Sequence, residues 1–262
     1  MSVRAALALL AAAACAAHPL AARAAMAVEY HGDARAIRGD AFAYRESHFV
    51  ERAEDGSGER VVLYRCADGT PFARKSVRYP AGSLAPDFAL VDARTGFSEG
   101  VRTRDDAREV YVRAGAAKPE RAAPLPAVPG LVADAGFDDF VLRHWDALVA
   151  GETLRFPFLV PGERDYIEFK VRRDRSVVLD GEAAEVLRLT LGAWYGRFLP
   201  RIDVSYTARD RMLRRYEGLS NIRDLELDNV VVRIDFPPGA RRALDPAARE
   251  RARAVALARS CS

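Results

Sequence analysis

The chain has 262 residues, of which 50% are hydrophobic, 29% charged and 9% aromatic, with a formal net charge of +3. Half apolar content excludes intrinsic disorder. Asp and Glu are interleaved with Arg throughout, and Lys occurs only at positions 75, 118 and 170, so there is no basic stripe of the kind nucleic-acid binding needs.

At the start, Arg4 precedes an apolar run from Ala5 to Ala17, and the small-residue site Ala25-Met26-Ala27 follows. That order of charge, apolar core and A-x-A is the pattern of a secretory signal peptide over 1–27, cleaved after Ala27. The run falls short of the roughly 20 residues that cross a bilayer, so no transmembrane span is expected in the mature chain 28–262. The expected location is the periplasm or beyond. Cys15 closes the apolar core and offers a second outcome, an acylated lipoprotein anchored there. Removing Arg4 and Arg23 lowers the formal charge from +3 to +1, close to neutral.

The mature sequence alternates. Val61 and Leu63 face one way while Val62 and Tyr64 face the other. The same period of two recurs in Ile167, Phe169 and Val171, in Leu187, Leu189 and Leu191, in Ile202, Val204 and Tyr206, and in Val230, Val232, Ile234 and Phe236. Turn clusters at Glu54 to Gly58, Ala67 to Gly69, Asp180-Gly181 and Ala208 to Asp210 separate these runs, giving about nine to eleven strands in hairpins. Half-buried alternation of this kind belongs to antiparallel sheets. Gly218 to Asp228 reads as the connection between a strand over Arg211 to Glu217 and another over Asn229 to Phe236.

Two segments have helical spacing instead. Phe137, Phe140, Val141, His144, Trp145 and Leu148 share one helix face, predicting a principal helix from Asp134 to Ala150. Asp134 is its cap, Asp138 and Asp139 suit its first turn, and Gly151 its end. A C-terminal helix starts at the cap Asp245 with Pro246 in first position. Between the β half 28–114 and the half 130–262 lies the linker 115–129, with Pro119, Pro124, Pro126 and Pro129. The expected fold is mainly β (α+β), a single β-rich domain: a curved antiparallel sheet or half-barrel with one principal packed helix and a C-terminal helix.

Chemistry is sparse. His31, His48 and His144 make no H-E-x-x-H arrangement; His144 reads as a core residue, and Glu46 and His48 share a strand face without a second His, so no metal is expected. No P-loop or dinucleotide fingerprint implies a cofactor. Gly218-Leu219-Ser220-Asn221 has Ile222 where a nucleophile elbow needs glycine, so no catalytic residue is assigned. Cys66 and Cys261 allow one disulfide, or a buried thiol and a frayed one. The aromatic residues Phe156, Phe158, Trp194, Tyr195 and Phe198 are candidates to line an apolar cavity, with Arg197 or Arg201 meeting a head group. These point to a binding or carrier protein for an apolar ligand, a lipid or acyl chain. The alternatives are an envelope scaffold or assembly protein binding another protein, and a hydrolytic enzyme without a recognisable motif.

The exported β-rich halves, the helix ending in Gly151-Glu152, the phrase Ala85-Pro86-Asp87-Phe88 and the turn containing Glu217-Gly218-Leu219-Ser220-Asn221 together resemble bacterial periplasmic proteins of unknown function. The order of elements also resembles the half-barrel of the outer-membrane lipoprotein carriers. That resemblance implies a curved antiparallel sheet closing over helices around an apolar cavity. It assigns no binding or catalytic residue.

Overall fold

The computed structural model describes residues 25–192 and 201–261. Eight strands come first: β1 (Met26–Ala36), β2 (Phe42–Arg52), β3 (Gly58–Arg65), β4 (Pro71–Tyr79), β5 (Asp87–Asp92), β6 (Phe97–Arg104), β7 (Ala107–Ala114) and β8 (Arg121–Pro124). Two short helices follow, α1 (Gly136–Arg143) and α2 (Trp145–Val149). A second series comprises β9 (Leu154–Val160), β10 (Asp165–Leu179), β11 (Glu182–Leu191), β12 (Ile202–Thr207), β13 (Leu213–Arg223) and β14 (Asn229–Asp235). A 3-10 turn (Pro238–Ala240), the two-residue β15 (Arg242–Ala243) and helix α3 (Pro246–Ala254) complete the described elements.

Each series is a meander of antiparallel neighbours, and the two join through β1 and β14 into one 15-stranded sheet running from β8 at one edge to β9 at the other. The expected mainly β, antiparallel class is therefore found. The strands outnumber the nine to eleven read from periodicity partly because short edge pieces such as β8 and β15 carry none. β8 lies inside the Pro-rich linker and tolerates its prolines as an edge strand does.

The sheet is strongly curved. The Arg223 guanidinium on β13 lies 4.4 Å from the centroid of the Phe97 ring on β6. Seven ladder steps separate those strands, which in a flat sheet at about 4.8 Å per step would hold them about 34 Å apart. At one end a strap draws the two meanders together. Val132 donates to Pro157 O and accepts from Leu159 N on β9, both at 2.9 Å, while the Ala133 amide donates to Leu84 O in the β4–β5 connection at 3.0 Å. Gly136 makes this approach possible, since a Cβ there would stand 1.8 Å from Leu84 O.

Two local expectations need correction. The helix read as Asp134 to Ala150 is broken at His144, whose φ of −109° and ψ of 17° separate α1 from α2. Asp134 does not cap it: its φ is +42°, and its carboxylate is taken by Lys75 instead. Nor is Gly218 to Asp228 all connection. β13 continues to Arg223, with Gly218 at φ +153° opposite Val232 and the register shifting between Leu219 and Arg223, and the turn lies only at Asp224 to Asp228, where Asp224 Oδ1 accepts from the amides of Glu226 and Asp228.

The helix face itself is core. Phe140, Val141, Trp145 and Leu148 pack with Phe156, Val171, Leu187 and Val204 on the concave side of the second meander. On the opposite side of β3, Val61 and Leu63 are covered by Ala252 of α3, with Val255 and Leu257 adjoining. Asp245 caps α3 through the Ala247 amide, as its sequence predicts. The tail beyond α3 is fixed by a Cys66–Cys261 disulfide with Cα atoms 5.5 Å apart.

Candidate functional site

The concave face of the first meander should be apolar throughout, because alternation places every second residue there. It is not. Direct cross-strand partners run Tyr30–His48–Val62–Lys75–Leu90–Glu99 from β1 to β6, so Lys75 and Glu99 stand on the same side as the buried Val62 and Leu90. The flanking rows contribute Glu46 beside Tyr64 and Arg60 beside Val77.

Buried charges survive only when paired and hydrogen-bonded, and most of these are. His48 Nε2 is 2.9 Å from Glu46 Oε2, and Arg60 donates to His48 Nδ1 from Nε at 3.2 Å and from Nη2 at 2.8 Å. A guanidinium only donates, so Nδ1 is the acceptor and Nε2–H faces Glu46. Burial and the Arg60 charge lower the His48 pKa to about 4. Arg60 also donates to Tyr30 Oη at 3.0 Å and to Asp138 Oδ2 at 3.3 Å. Asp138 accepts a second bond from Tyr206 Oη at 2.7 Å, Arg52 reaches Asp139 at 2.8 Å, and Lys75 reaches Asp134 Oδ1 at 2.9 Å. The acidic start of α1 is thereby docked onto the basic residues of the sheet.

Glu99 is the exception. It is 9% exposed, no described residue hydrogen-bonds its carboxyl, and burial pushes its pKa up to about 7 against the opposing charge of Arg223. Two polar atoms nearby also lack partners among the described residues, Asp134 Oδ2 and Arg223 Nε.

These groups line a cavity of about 540 Å³ between the two meanders. Glu46, Lys75, Glu99, Asp134 and Arg223 are on its polar side, and Phe158, Phe169, Leu189, Ile202 and Val204 on its apolar side. Among the described residues no group of three or more His, Cys, Asp or Glu side chains is placed to hold a metal ion. With both ring nitrogens of His48 engaged, the network as it stands offers no free imidazole to a ligand.

Of the residues singled out from sequence, Phe158 lines the cavity. Phe156 is 3% exposed and packs against Phe140 with ring centroids 4.5 Å apart, inside the core. Arg201 is exposed and is not part of the lining. Trp194, Tyr195, Arg197 and Phe198 lie outside the described residues. The polar members were missed, although a signal existed: Lys75 sits at the parity of Ala73 and Val77, and Glu99 at that of Phe97 and Val101, which are core positions.

No family model matches the chain, and no curated protein does. A solved structure does: the beta-barrel-like protein of domain of unknown function DUF1849 from Brucella abortus shares 10% identity over 86% of this chain and 100% of that one, with a TM-score of 0.54. What the two share is the fold. A DUF1329 family protein from Desulfovibrio piger aligns over 84% of this chain and 86% of its own at 9% identity, but its TM-score of 0.32 is too low to add to the argument. The open antiparallel sheet described above is thus of the beta-barrel-like kind, and its concave cavity is where such an architecture offers room for a ligand.

Proposed function

We propose that the chain is an exported binding or carrier protein for an amphiphile, whose lipid or acyl chain lies against the apolar wall formed by Phe158, Phe169, Leu189, Ile202 and Val204. The cavity carries this reading. Its volume of about 540 Å³ falls within the roughly 300–1,000 Å³ of small-molecule sites. Burial is worth roughly 0.8 kcal/mol per methylene, so a chain of about ten would offset much of the cost of association. Export is supported by the disulfide, which belongs to oxidising compartments, and by the Arg4 and Ala5 to Ala17 pattern.

The test is native mass spectrometry and solvent extraction of protein purified gently from its own envelope, followed by titration of the stripped protein with single-chain amphiphiles. Co-purification of a lipid, or micromolar binding of any such chain, is expected. If nothing co-purifies and no chain binds, the carrier reading is to be dropped.

A further inference from the structure

Glu99, Lys75, Asp134 and Arg223 gather at one end of the cavity. Lys75 is bonded to Asp134, while Glu99 faces Lys75 across Leu90 in the strand row. Arg223 lies over Phe97, two residues from Glu99 on β6. Their hydrogen-bonding capacity is unspent in both senses. Lys75 has three donors and one carboxylate partner; among the described residues Arg223 Nε–H and Asp134 Oδ2 have no partner, and the Glu99 carboxyl, 9% exposed, accepts no hydrogen bond from them. Buried polar groups of native proteins are normally satisfied, so so many open ones beside a cavity mark the place where a bound molecule supplies the partners.

We propose that this end of the cavity selects an uncharged head group rich in hydroxyls, as on a glycerol or sugar amphiphile, over a carboxylate or a quaternary ammonium. The proposal rests on the carrier reading above. At pH 8, where Glu99 is ionised, the four side chains form a balanced set of two cations and two carboxylates, so neither sign of ligand charge is favoured overall. A carboxylate would accept from Lys75 and Arg223 but would meet Glu99 and Asp134 with no proton to give them. An ammonium carrying methyl groups would donate to nothing and would meet two cations. A hydroxyl donates and accepts at once, so adjacent hydroxyls can donate to Asp134 and Glu99 while accepting from Lys75 and Arg223. No ion then has to be desolvated with the head group.

The experiment uses the full mature chain, stripped of lipid, at pH 8, with four probes sharing a dodecyl or dodecanoyl chain: monododecanoyl glycerol, dodecyl glucoside, dodecanoate and dodecyltrimethylammonium. The glycerol or the glucoside should bind about tenfold tighter than either ion, the size of one well-made buried hydrogen bond, and whichever is tighter identifies the source of the hydroxyls. Glu99→Leu should lower affinity for that probe about tenfold and leave dodecanoate within about twofold, while Glu99→Gln, which keeps a donor and an acceptor, should preserve the preference. Dodecanoate or the ammonium binding as tightly as the neutral probes would overturn the head-group assignment and leave the carrier reading standing. Equal weakening of all probes by Glu99→Leu would overturn it too. Binding of none of the four removes both.

Discussion

Tyr44 on β2 and Ser220 on β13 share a buried 2.7 Å hydrogen bond between their hydroxyls, although three ladder steps lie between their strands. Ser220 Oγ also accepts from the Ile222 amide at 3.0 Å, so the hydroxyl serves both its own strand and the opposite wall. Tyr44→Phe and Ser220→Ala are each expected to cost about 1–2 kcal/mol in urea denaturation, and the double variant less than their sum. Strict additivity would show that the bond does not couple the two walls.

The two perturbed groups give opposite dependences on pH. The His48 pKa falls from 6.5 to about 4 on folding. Between those values the unfolded chain takes up a proton that the folded chain refuses, so stability drops as pH falls through that window, by on the order of 3 kcal/mol. The Glu99 pKa rises from 4.5 to about 7 in a surrounding of Lys75, Arg223, Asp134 and Tyr111. There stability drops as pH rises from about 4.5 to about 7. Glu99→Gln should therefore stabilise the protein more at pH 8 than at pH 4.5, by a margin of about 3 kcal/mol. A pH-independent effect in denaturant melts would show that Glu99 is not held in a raised state.

Trp145, 5% exposed, anchors the helical segment by packing edge-on to Tyr206 with ring centroids 6.3 Å apart. Trp145→Ala is expected to cost about 3–5 kcal/mol. A loss below about 1 kcal/mol in calorimetry would mean that the helix face contributes little to the core.

The disulfide closes a loop with a sequence separation of 195. Replacing both cysteines by serine should remove about 2–5 kcal/mol of stability and free the tail over Val61 and Leu63, seen as faster amide exchange in β3. Unchanged stability would mean that packing of α3 alone holds that face. Mass spectrometry of the same protein from its native host tests export, since a chain still starting at Met1 would sink that proposal.

Ile202 stands half-buried on the apolar wall of the cavity. Ile202→Trp fills space that a chain would use and should weaken amphiphile binding about tenfold, as the loss of some two buried methylenes would. Unaltered affinity in a fluorescent-chain titration would place the ligand elsewhere.

Alternation and capping are written in neighbouring residues, which is why Val61 to Tyr64, Ile202 to Tyr206 and the Asp245-Pro246 start of α3 are legible in the sequence. Asp134 was misread for the opposite reason. Its cap-like position is local, whereas the claim of Lys75 on its carboxylate comes from a strand far away in the chain. The cavity was legible only in part, through Phe158, because its polar side is assembled from β2, β3, β4, β6, β13 and the strap before α1. Each of those charges looks alone like a solvated strand residue, and only the curvature of the sheet brings Lys75, Glu99 and Arg223 together.

The join between β1 and β14 also governs the order in which the molecule can be made. Each meander grows by closing short hairpins, a small entropic step, but the ladder between β1 and β14 unites the two ends of the described chain. As the chain enters the compartment where it folds, N-terminal end first, β1 arrives early and must wait with one edge unpaired until β14 follows. An unpaired edge invites strands from other chains. The protein is therefore most prone to aggregation late in its delivery, when the first meander is formed and its partner strand has yet to arrive.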